Sequence, residues 1–323
     1  MVGLMEVEEI CIKIRSLLKE AVLRNLSEGI LLSGGLDTSI LAYLASDINK
    51  LRAITVAFNA TLAPDVEYAK LITKTLNLDH IVHLFDKNEL FNSIPMVIKT
   101  LKSFDPMEIR NSVSIFIALK LAKEKGIKSV MTGDGSDELF AGYSFLFELN
   151  KEQLDDKLSK IWESMSFSSI PLSKALNIDV KIPFLDQELK SYAMNLDSKY
   201  KIKKEGHKTW GKWILRKAFD DILPKAIVWR EKAPIEYGSG TNVLTSLLEK
   251  MVNDFEFEEK RKRYVEEDNV VIRSKEQLWY YEIYRSIIGI PKKARHNGKN
   301  CPFCHSDVNE YANYCRVCGA YPI

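Results

Sequence analysis

Residues 30 to 39 read Ile-Leu-Leu-Ser-Gly-Gly-Leu-Asp-Thr-Ser, a run that leaves the backbone few options. Ile30, Leu31 and Leu32 form a buried-strand pattern, Ser33, Gly34 and Gly35 a turn almost without side-chain bulk, and helical spacing begins at Leu36. A strand that feeds a small-residue loop into a helix presents free backbone N–H groups and the positive end of the helix dipole. Phosphate is the usual occupant of such a place, and a tight turn with no ligand is the plain alternative. Asp37, with the hydroxyls of Ser33, Thr38 and Ser39 beside it, favours the ligand. An acid next to a phosphate cradle makes sense when a divalent cation sits between them.

The chain around this run alternates. Apolar residues at helical spacing over 4–26 (Ile10, Ile14, Leu17, Leu18, Ala21) predict a first helix, followed by the strand and the glycine loop. Helices are then expected over 36–48, 66–76 (opened by Pro64 and Asp65), 88–104 with a kink at Pro95, and 111–125. Strands are expected over 51–58, 79–85 and 127–131. This order implies an α/β fold: a parallel sheet with helices on both faces, binding ligands beyond the C-terminal strand ends. Residues 140–290 are mainly helical, broken at 182–186 and 238–240, and read as a helical extension of the same domain. The sequence thus divides into a domain over 1–290, a polar basic linker over 291–300, and a small module over 301–323.

Composition excludes two classes. With 46% hydrophobic and 28% charged residues the chain matches a soluble globular protein. No run of about 18 apolar residues and no signal-peptide pattern is present, which makes the cytoplasm the expected location. Of the formal net charge of +2, residues 291–323 hold +3 (Lys292, Lys293, Arg295, Lys299 and Arg316 against Asp307 and Glu310), so the rest carries −1. The basic excess is in the tail.

A second acidic loop follows the strand at 127–131: Thr132, Gly133, Asp134, Gly135, Ser136, Asp137, Glu138. A helix cap would need one such residue, whereas here three carboxylates crowd two glycines. They repel one another unless a cation is present, and near a phosphate loop that cation would be Mg²⁺ on a nucleotide.

Residues 33–39 resemble the pyrophosphate loop of the ATP pyrophosphatase (PP-loop) superfamily. Residues 134–143 and 182–186 (Ile-Pro-Phe-Leu-Asp) are similar to the synthetase domain of asparagine synthetases. Lys212-Trp-Ile-Leu-Arg216, then Trp229-Arg-Glu-Lys232, then Gly238-Ser-Gly240 follow in that family's order, so the resemblance runs from about 15 to 250. The first loop alone also fits tRNA thiolases; the set together points to the asparagine synthetase-like branch. It implies an adenine nucleotide α-hydrolase-like fold, with adenine near Leu31, Phe58 and the backbone of Thr132 and Gly133. The triphosphate would lie on Ser33, Gly34, Gly35, Asp37, Thr38 and Ser39, with Mg²⁺ on Asp37 and Asp137. A carboxylate would attack the α-phosphorus of ATP, pyrophosphate would leave, and an amine would attack the acyl-adenylate. Charge on the phosphates requires cations, for which Lys212 is the first candidate and Arg110 the second. Lys208 competes with Lys212 in the lysine-rich stretch 199–217, most of which reads as a solvated face. Asp134 stands where family members have Glu or Asp and would contact the intermediate or the amine, while Pro183 and Asp186 would shape the pocket wall.

The sequence also departs from the family. Glutamine-using asparagine synthetases begin with an amidotransferase domain that has an N-terminal cysteine nucleophile, whereas here Val2 follows Met1 and only about 25 residues precede the first strand. The expectation is that the chain lacks its own glutaminase and takes free ammonia, ammonia from a separate glutaminase subunit, or another amine. Residues 169–179 hold no arginine and depart from the arginine and asparagine pattern usual in that region, which leaves the identity of the carboxylate substrate open. The oligomeric state is also open, a homodimer among the options.

Cys301-Pro-Phe-Cys304 and Cys315-Arg-Val-Cys318, ten residues apart, have the spacing of a four-thiolate structural Zn²⁺ site, with a disulfide pair as the weaker reading. Cys11 stands apart in the first helix and reads as a small buried hydrophobe. A ribbon of this size needs metal to fold. It could serve as a stabilising or subunit-contact module, or, with the basic linker, Tyr311, Tyr314 and Arg316, as an RNA contact. Three functions follow: an AMP-forming amide ligase acting on aspartate or a related carboxylate; an ATP-using enzyme that modifies tRNA or a nucleotide and holds RNA by the ribbon; and an ATP-binding scaffold, against which the intact acidic loops argue. The scarcity of body cysteines argues against thiolation.

Overall fold

Five short strands pair in the order β3-β2-β1-β4-β5: β1 Gly29–Leu31, β2 Arg52–Phe58, β3 Asp79–Phe85, β4 Ser129–Met131 and β5 Asp179–Lys181. The chain is seen in a computed structural model that describes residues 2–48, 50–293, 298–310 and 312–323. Strand β1 pairs parallel with β2 (Leu31 opposite Ile54) and with β4 (Ile30 opposite Met131), and β4 pairs parallel with β5. The fifth strand was not foreseen, because Asp-Val-Lys offers a single apolar residue and no alternation to detect. An antiparallel hairpin, Lys203–Glu205 with Lys208–Trp210, turns at Gly206 (φ +62°) and was likewise unforeseen in the lysine-rich stretch.

The helices agree with the spacing to within a few residues: α1 Val2–Arg24, α2 Leu36–Ser46, α3 Pro64–Leu76, α4 Lys87–Leu101, α5 Pro106–Glu124, and a single turn, α6, Ser136–Leu139. Helix α5 begins five residues earlier than expected. Pro106 occupies its first position, and Asp105 Oδ1 accepts from Met107 N at 3.1 Å, a capped proline start that periodicity alone misses. Helix α4 runs through Pro95 as one element.

The chain forms two compact units: residues 1–56, 64–83 and 118–233, and residues 57–63, 84–117 and 234–323. This differs from the division expected from sequence, since the cysteine module belongs to the second unit with α4. The first unit buries one face of α1 (Ile14, Leu18, Ala21, Val22) with Ile30, Ile40, Leu41, Phe184 and Ile214 in a single core. Full burial of each of these side chains larger than alanine contributes about 1.5–3 kcal/mol. The second unit packs Phe104 edge-on to Tyr281 (5.0 Å) and Tyr284 (5.1 Å), and Phe91 to Trp279 (5.3 Å). Among the described residues no helix is long and apolar enough to cross a membrane. Tyr311 and residues 294–297 of the linker, Arg295 among them, lie outside the described residues.

Candidate active site and metal centre

The turn after β1 requires glycine at one position. Gly34 has φ +65°, and a Cβ there would collide with the backbone of Tyr68 and Ala69 in α3. The next residue, Gly35, caps α2 without any side-chain hydrogen bond, so the first-turn N–H groups of α2 have no capping side chain. Ser33 Oγ accepts from Gly35 N at 3.2 Å and lies 3.3 Å from Thr38 Oγ1. Ser39 Oγ is buried and has no hydrogen-bond partner among the described residues. A free helix start, three hydroxyls and an orphaned buried oxygen fit the oxygens of a phosphate chain.

The acidic loop after β4 comes up against this turn. A Cβ on Gly133 would lie 3.1 Å from Asp37 Cβ and 3.2 Å from Thr38 Cγ2, so the glycine permits the two loops to touch. Ser136 Oγ then donates to Asp37 Oδ1 at 2.7 Å.

Lys212 joins the two acids. Its Nζ is 2.6 Å from Asp37 Oδ2 and 2.8 Å from Asp137 Oδ1, and Lys232 Nζ donates to Asp137 Oδ2 at 2.6 Å. Burial raises the Asp137 carboxyl, but Lys212 and Lys232 outweigh it and hold the group below the usual carboxylate range. Burial lowers the Lys232 ammonium, while Asp137 and Asp37 more than restore it, giving a net rise. Lys212 itself is buried and left-handed (φ +53°), its N–H bonded to Phe140 O at 3.0 Å. A Cβ on Gly142 would strike Asp137 Oδ1 and Lys212 Cε, so that glycine makes room for the pair.

Arg216 sets the backbone that carries both lysines. Its guanidinium donates to Gly211 O (3.0 Å), Val228 O and Arg230 O (3.0 Å), which bracket the segments of Lys212 and Lys232. Arg230 in turn reaches Ser33 O (3.1 Å) and Asp65 Oδ1 (2.6 Å) and lies over the Tyr68 ring at 4.0 Å. Asp65 is raised by burial against the pull of Arg230. Sequence reasoning quoted the motif with Arg230 and Lys232 but assigned neither to the site. The signal was there, since two cations flank Glu231 in a motif already tied to a phosphate site.

Asp134 is placed differently from Asp137. Its Oδ2 accepts from Thr132 Oγ1 (2.9 Å) and Ser169 Oγ (2.5 Å), and burial pushes its carboxyl up despite both bonds. Two acids three residues apart are therefore driven in opposite directions, an arrangement that separates a charge holder from a proton acceptor. Glu138, also raised by burial, accepts from Tyr143 OH at 2.5 Å.

The first unit therefore brings together Leu31, Ser33, Gly34, Gly35, Asp37, Thr38, Ser39, Thr132, Gly133, Asp134, Asp137 and Lys212. Phe58 and Arg110 belong to the second. There the Phe58 ring is 5.9 Å from Phe85. Arg110, expected as a second cation for the phosphates, is engaged by Glu236, by Glu276 Oε2 (2.8 Å) and by Thr245 Oγ1 (3.2 Å). Two carboxylates already neutralise it. Lys208 pairs with Glu231 on a half-exposed face over Trp210, whereas Lys201, read as surface, is buried 4.6 Å from the Trp162 ring and pushed down to about 8 by burial. Asp186 forms a two-pronged ion pair with Arg24 of α1 (2.8 and 2.7 Å).

The four tail cysteines converge, all buried, with their Sγ atoms within 4.8 Å of one another. Cys301–Cys318 and Cys304–Cys315 are each 3.7 Å apart, close to the roughly 3.8 Å edge that four Zn–S bonds of about 2.3 Å give a tetrahedron. The thiols are unbridged, the spacing fits Zn²⁺, and His305 stays outside the cluster. The module is built into the second unit. Phe104 N donates to Val317 O (2.7 Å), Ser103 Oγ to Arg316 O (2.8 Å), Gln277 Nε2 to Cys318 O (2.7 Å), and Tyr314 OH to Asp105. Gly319 has φ +73°, and a Cβ on it would strike Asp105.

A glycine loop without a capping side chain, a buried hydroxyl with no partner among the described residues and two lysine-bridged acids lie together on a parallel α/β sheet. Residues 13–169 and 170–300 match the family model for asparagine synthase. The chain is 31% identical over 288 residues to a probable glutamine-hydrolysing asparagine synthetase of Dictyostelium discoideum, covering 80% of this chain and 51% of that protein. It is 31% identical to the glutamine-hydrolysing asparagine synthetase of Zea mays (75% of this chain, 45% of that one). Among solved structures, NMN synthetase from Francisella tularensis superposes with a TM-score of 0.30 at 15% identity, over 62% of this chain and 99% of that one. The chain belongs to the asparagine synthase family, and it spans about half the length of the curated relatives it matches.

Proposed function

We propose that this chain is an ATP-dependent ligase that activates a carboxylate as its acyl-adenylate and transfers the acyl group to ammonia or an amine, forming AMP and pyrophosphate. The observation that carries the reading is Lys212 set between Asp37 and Asp137, with Lys232 on Asp137, beside the phosphate loop. Leu31 and the backbone of Thr132 and Gly133 would take the adenine. The N–H groups at the start of α2 and the hydroxyls of Ser33, Thr38 and Ser39 would take the phosphates. Asp37 and Asp137 are the donors that would hold Mg²⁺, which when bound neutralises charge on the departing pyrophosphate.

As the carboxylate oxygen bonds the α-phosphorus and the α–β P–O bond breaks, Lys212 and Lys232 stabilise the charge gathering on the leaving group. When the nitrogen bonds the acyl carbon and AMP departs, Asp134 accepts the proton released by the amine. Its burial raises its proton affinity, which suits that role. Arg110 serves instead to fix Glu236, and the cysteine module, with Zn²⁺ on Cys301, Cys304, Cys315 and Cys318, is structural.

The test is pyrophosphate release from ATP and Mg²⁺, assayed with carboxylic acids plus ammonium and separately with bulk tRNA. Acid-dependent release is expected. Release with tRNA alone would replace this reading by an RNA-modifying one.

A further inference from the structure

A cleft of about 350 Å³ opens in the first unit, walled by Trp162, Met165, Phe167, Ile170, Pro171 and Leu185. Lys190 is the single charged residue on its wall. Its size falls at the lower end of small-molecule sites, which are concave and largely apolar.

Three points on the wall adjoin the acidic loop. Trp162 Nε1 donates to Glu138 O at 2.9 Å. A Cβ on Gly135 would lie 2.7 Å from Leu185 Cδ2, so the loop backbone rests on that leucine. Ile170 and Pro171 directly follow Ser169, whose Oγ donates to Asp134 Oδ2 at 2.5 Å. Leu185 follows β5 and the acidic loop follows β4, so both lie beyond the C-terminal ends of neighbouring strands, where open α/β sheets bind ligands.

We propose that this cleft receives the non-reacting part of the acyl substrate, and that the substrate is a carboxylic acid with an apolar body. The inference rests on the ligase reading for the fate of the acid, but not for its binding. A free amino acid such as aspartate would bring an ammonium group and a second carboxylate to this wall. The wall has no carboxylate for the ammonium, and an unpaired charge placed against apolar side chains is penalised. Lys190, the one cation on the wall, further disfavours the ammonium.

Binding of 3-phenylpropionate, hexanoate and L-aspartate to the full chain, followed by saturation-transfer NMR, tests the cleft. The apolar acids should bind at least tenfold more tightly than aspartate. Ile170→Glu and Phe167→Glu should each cost the apolar acids at least tenfold, with the fold checked by circular dichroism. Lys190→Ala, which leaves the apolar wall intact, should leave the binding of the apolar acids unchanged within about twofold. Aspartate binding as tightly as the apolar acids, or apolar binding unchanged in both glutamate variants, overturns the proposal. Exchange of labelled pyrophosphate into ATP, driven by the same acids, separates the two readings. Acids that bind as described yet drive no exchange support the cleft and refute the ligase.

Discussion

Lys212 Nζ lies 2.6 Å from Asp37 Oδ2, closing a contact between residues 175 apart in the chain. Asp137 Oδ1 lies 2.8 Å away on the other side, so one ammonium neutralises part of the charge on the two carboxylates proposed to hold Mg²⁺ and should weaken their pull on the metal. Lys212→Met should therefore lower stability, since breaking a buried pair costs about 3–5 kcal/mol. It should also make that stability respond to Mg²⁺. Thermal melts with and without 10-fold steps of MgCl₂ check this: the variant's Tm should climb with metal by more than the wild type's. Equal shifts in the two proteins would remove the metal-site assignment for Asp37 and Asp137.

Asp37→Asn addresses the chemistry rather than the fold. The amide still accepts from Ser136 Oγ, which donates to Asp37 Oδ1 at 2.7 Å, so the loop contact survives while a negative charge is lost. Pyrophosphate release should fall by roughly 10²–10³-fold, the scale seen when one preorganised electrostatic group is removed. Wild-type turnover by this variant would exclude Asp37 from metal and phosphate binding.

The two buried acids of the second loop predict opposite pH behaviour. Asp137 is lowered, because Lys212 and Lys232 overcome its burial. Its contribution to stability is present above the unfolded value of about 3.9 and is lost as pH falls through the lower folded value. Asp134 is raised by burial, so it costs stability as pH rises from the unfolded value through the folded one. Asp134→Asn should then raise Tm near pH 7, with the gain shrinking toward pH 4, while amide formation is lost. A gain independent of pH would show that ionisation of Asp134 is not its source.

Much of this site was legible in the sequence, for physical reasons. Gly34 and Asp37 lie within one strand–turn–helix unit, and such units fold by local rules that a short window captures. Asp37 and Asp137, expected to share Mg²⁺, face each other across Lys212, the lysine expected to serve the phosphates. What escaped detection depends on distant contacts. Arg216 acts by donating to three backbone carbonyls, and nothing in Leu-Arg-Lys distinguishes it from a surface arginine. Arg110 looked available because its partners, Glu236 and Glu276, stand 126 and 166 residues away. The cysteine module read as an appendage because Asp105 and Gln277, which anchor it, carry no cysteine-like signature.

The cysteine module should be linked to the segments it contacts. Removing Zn²⁺ with a chelator, or Cys315→Ser, should release one metal ion per chain and lower Tm. Hydrogen exchange should accelerate at residues 103–107 and 271–277, which hold Val317, Cys318 and Phe303 by backbone and side-chain bonds. Metal loss with exchange unchanged at 103–107 would mean that the module is free of the unit it packs on.

Arg216→Lys is the most informative conservative change. Arginine's planar fork serves three carbonyls at once, those of Gly211, Val228 and Arg230, and a lysine ammonium on a flexible stem cannot reproduce that spread. At least one buried carbonyl is left without its donor, at about 1–3 kcal/mol for each group stranded. The carbonyls belong to the segments that carry Lys212 and Lys232, so the consequence goes beyond stability. Two ammonium groups that must sit within 3 Å of Asp137 lose their common support, and a shift of about 1 Å costs on the order of 10²-fold in rate. The variant should therefore show a lower Tm and, well below that Tm, a reduced kcat for pyrophosphate release with little change in the KM for the acid, because the acid does not touch Arg216. A normal kcat beside a lowered Tm would confine Arg216 to holding the fold and leave the lysines positioned by their carboxylates alone.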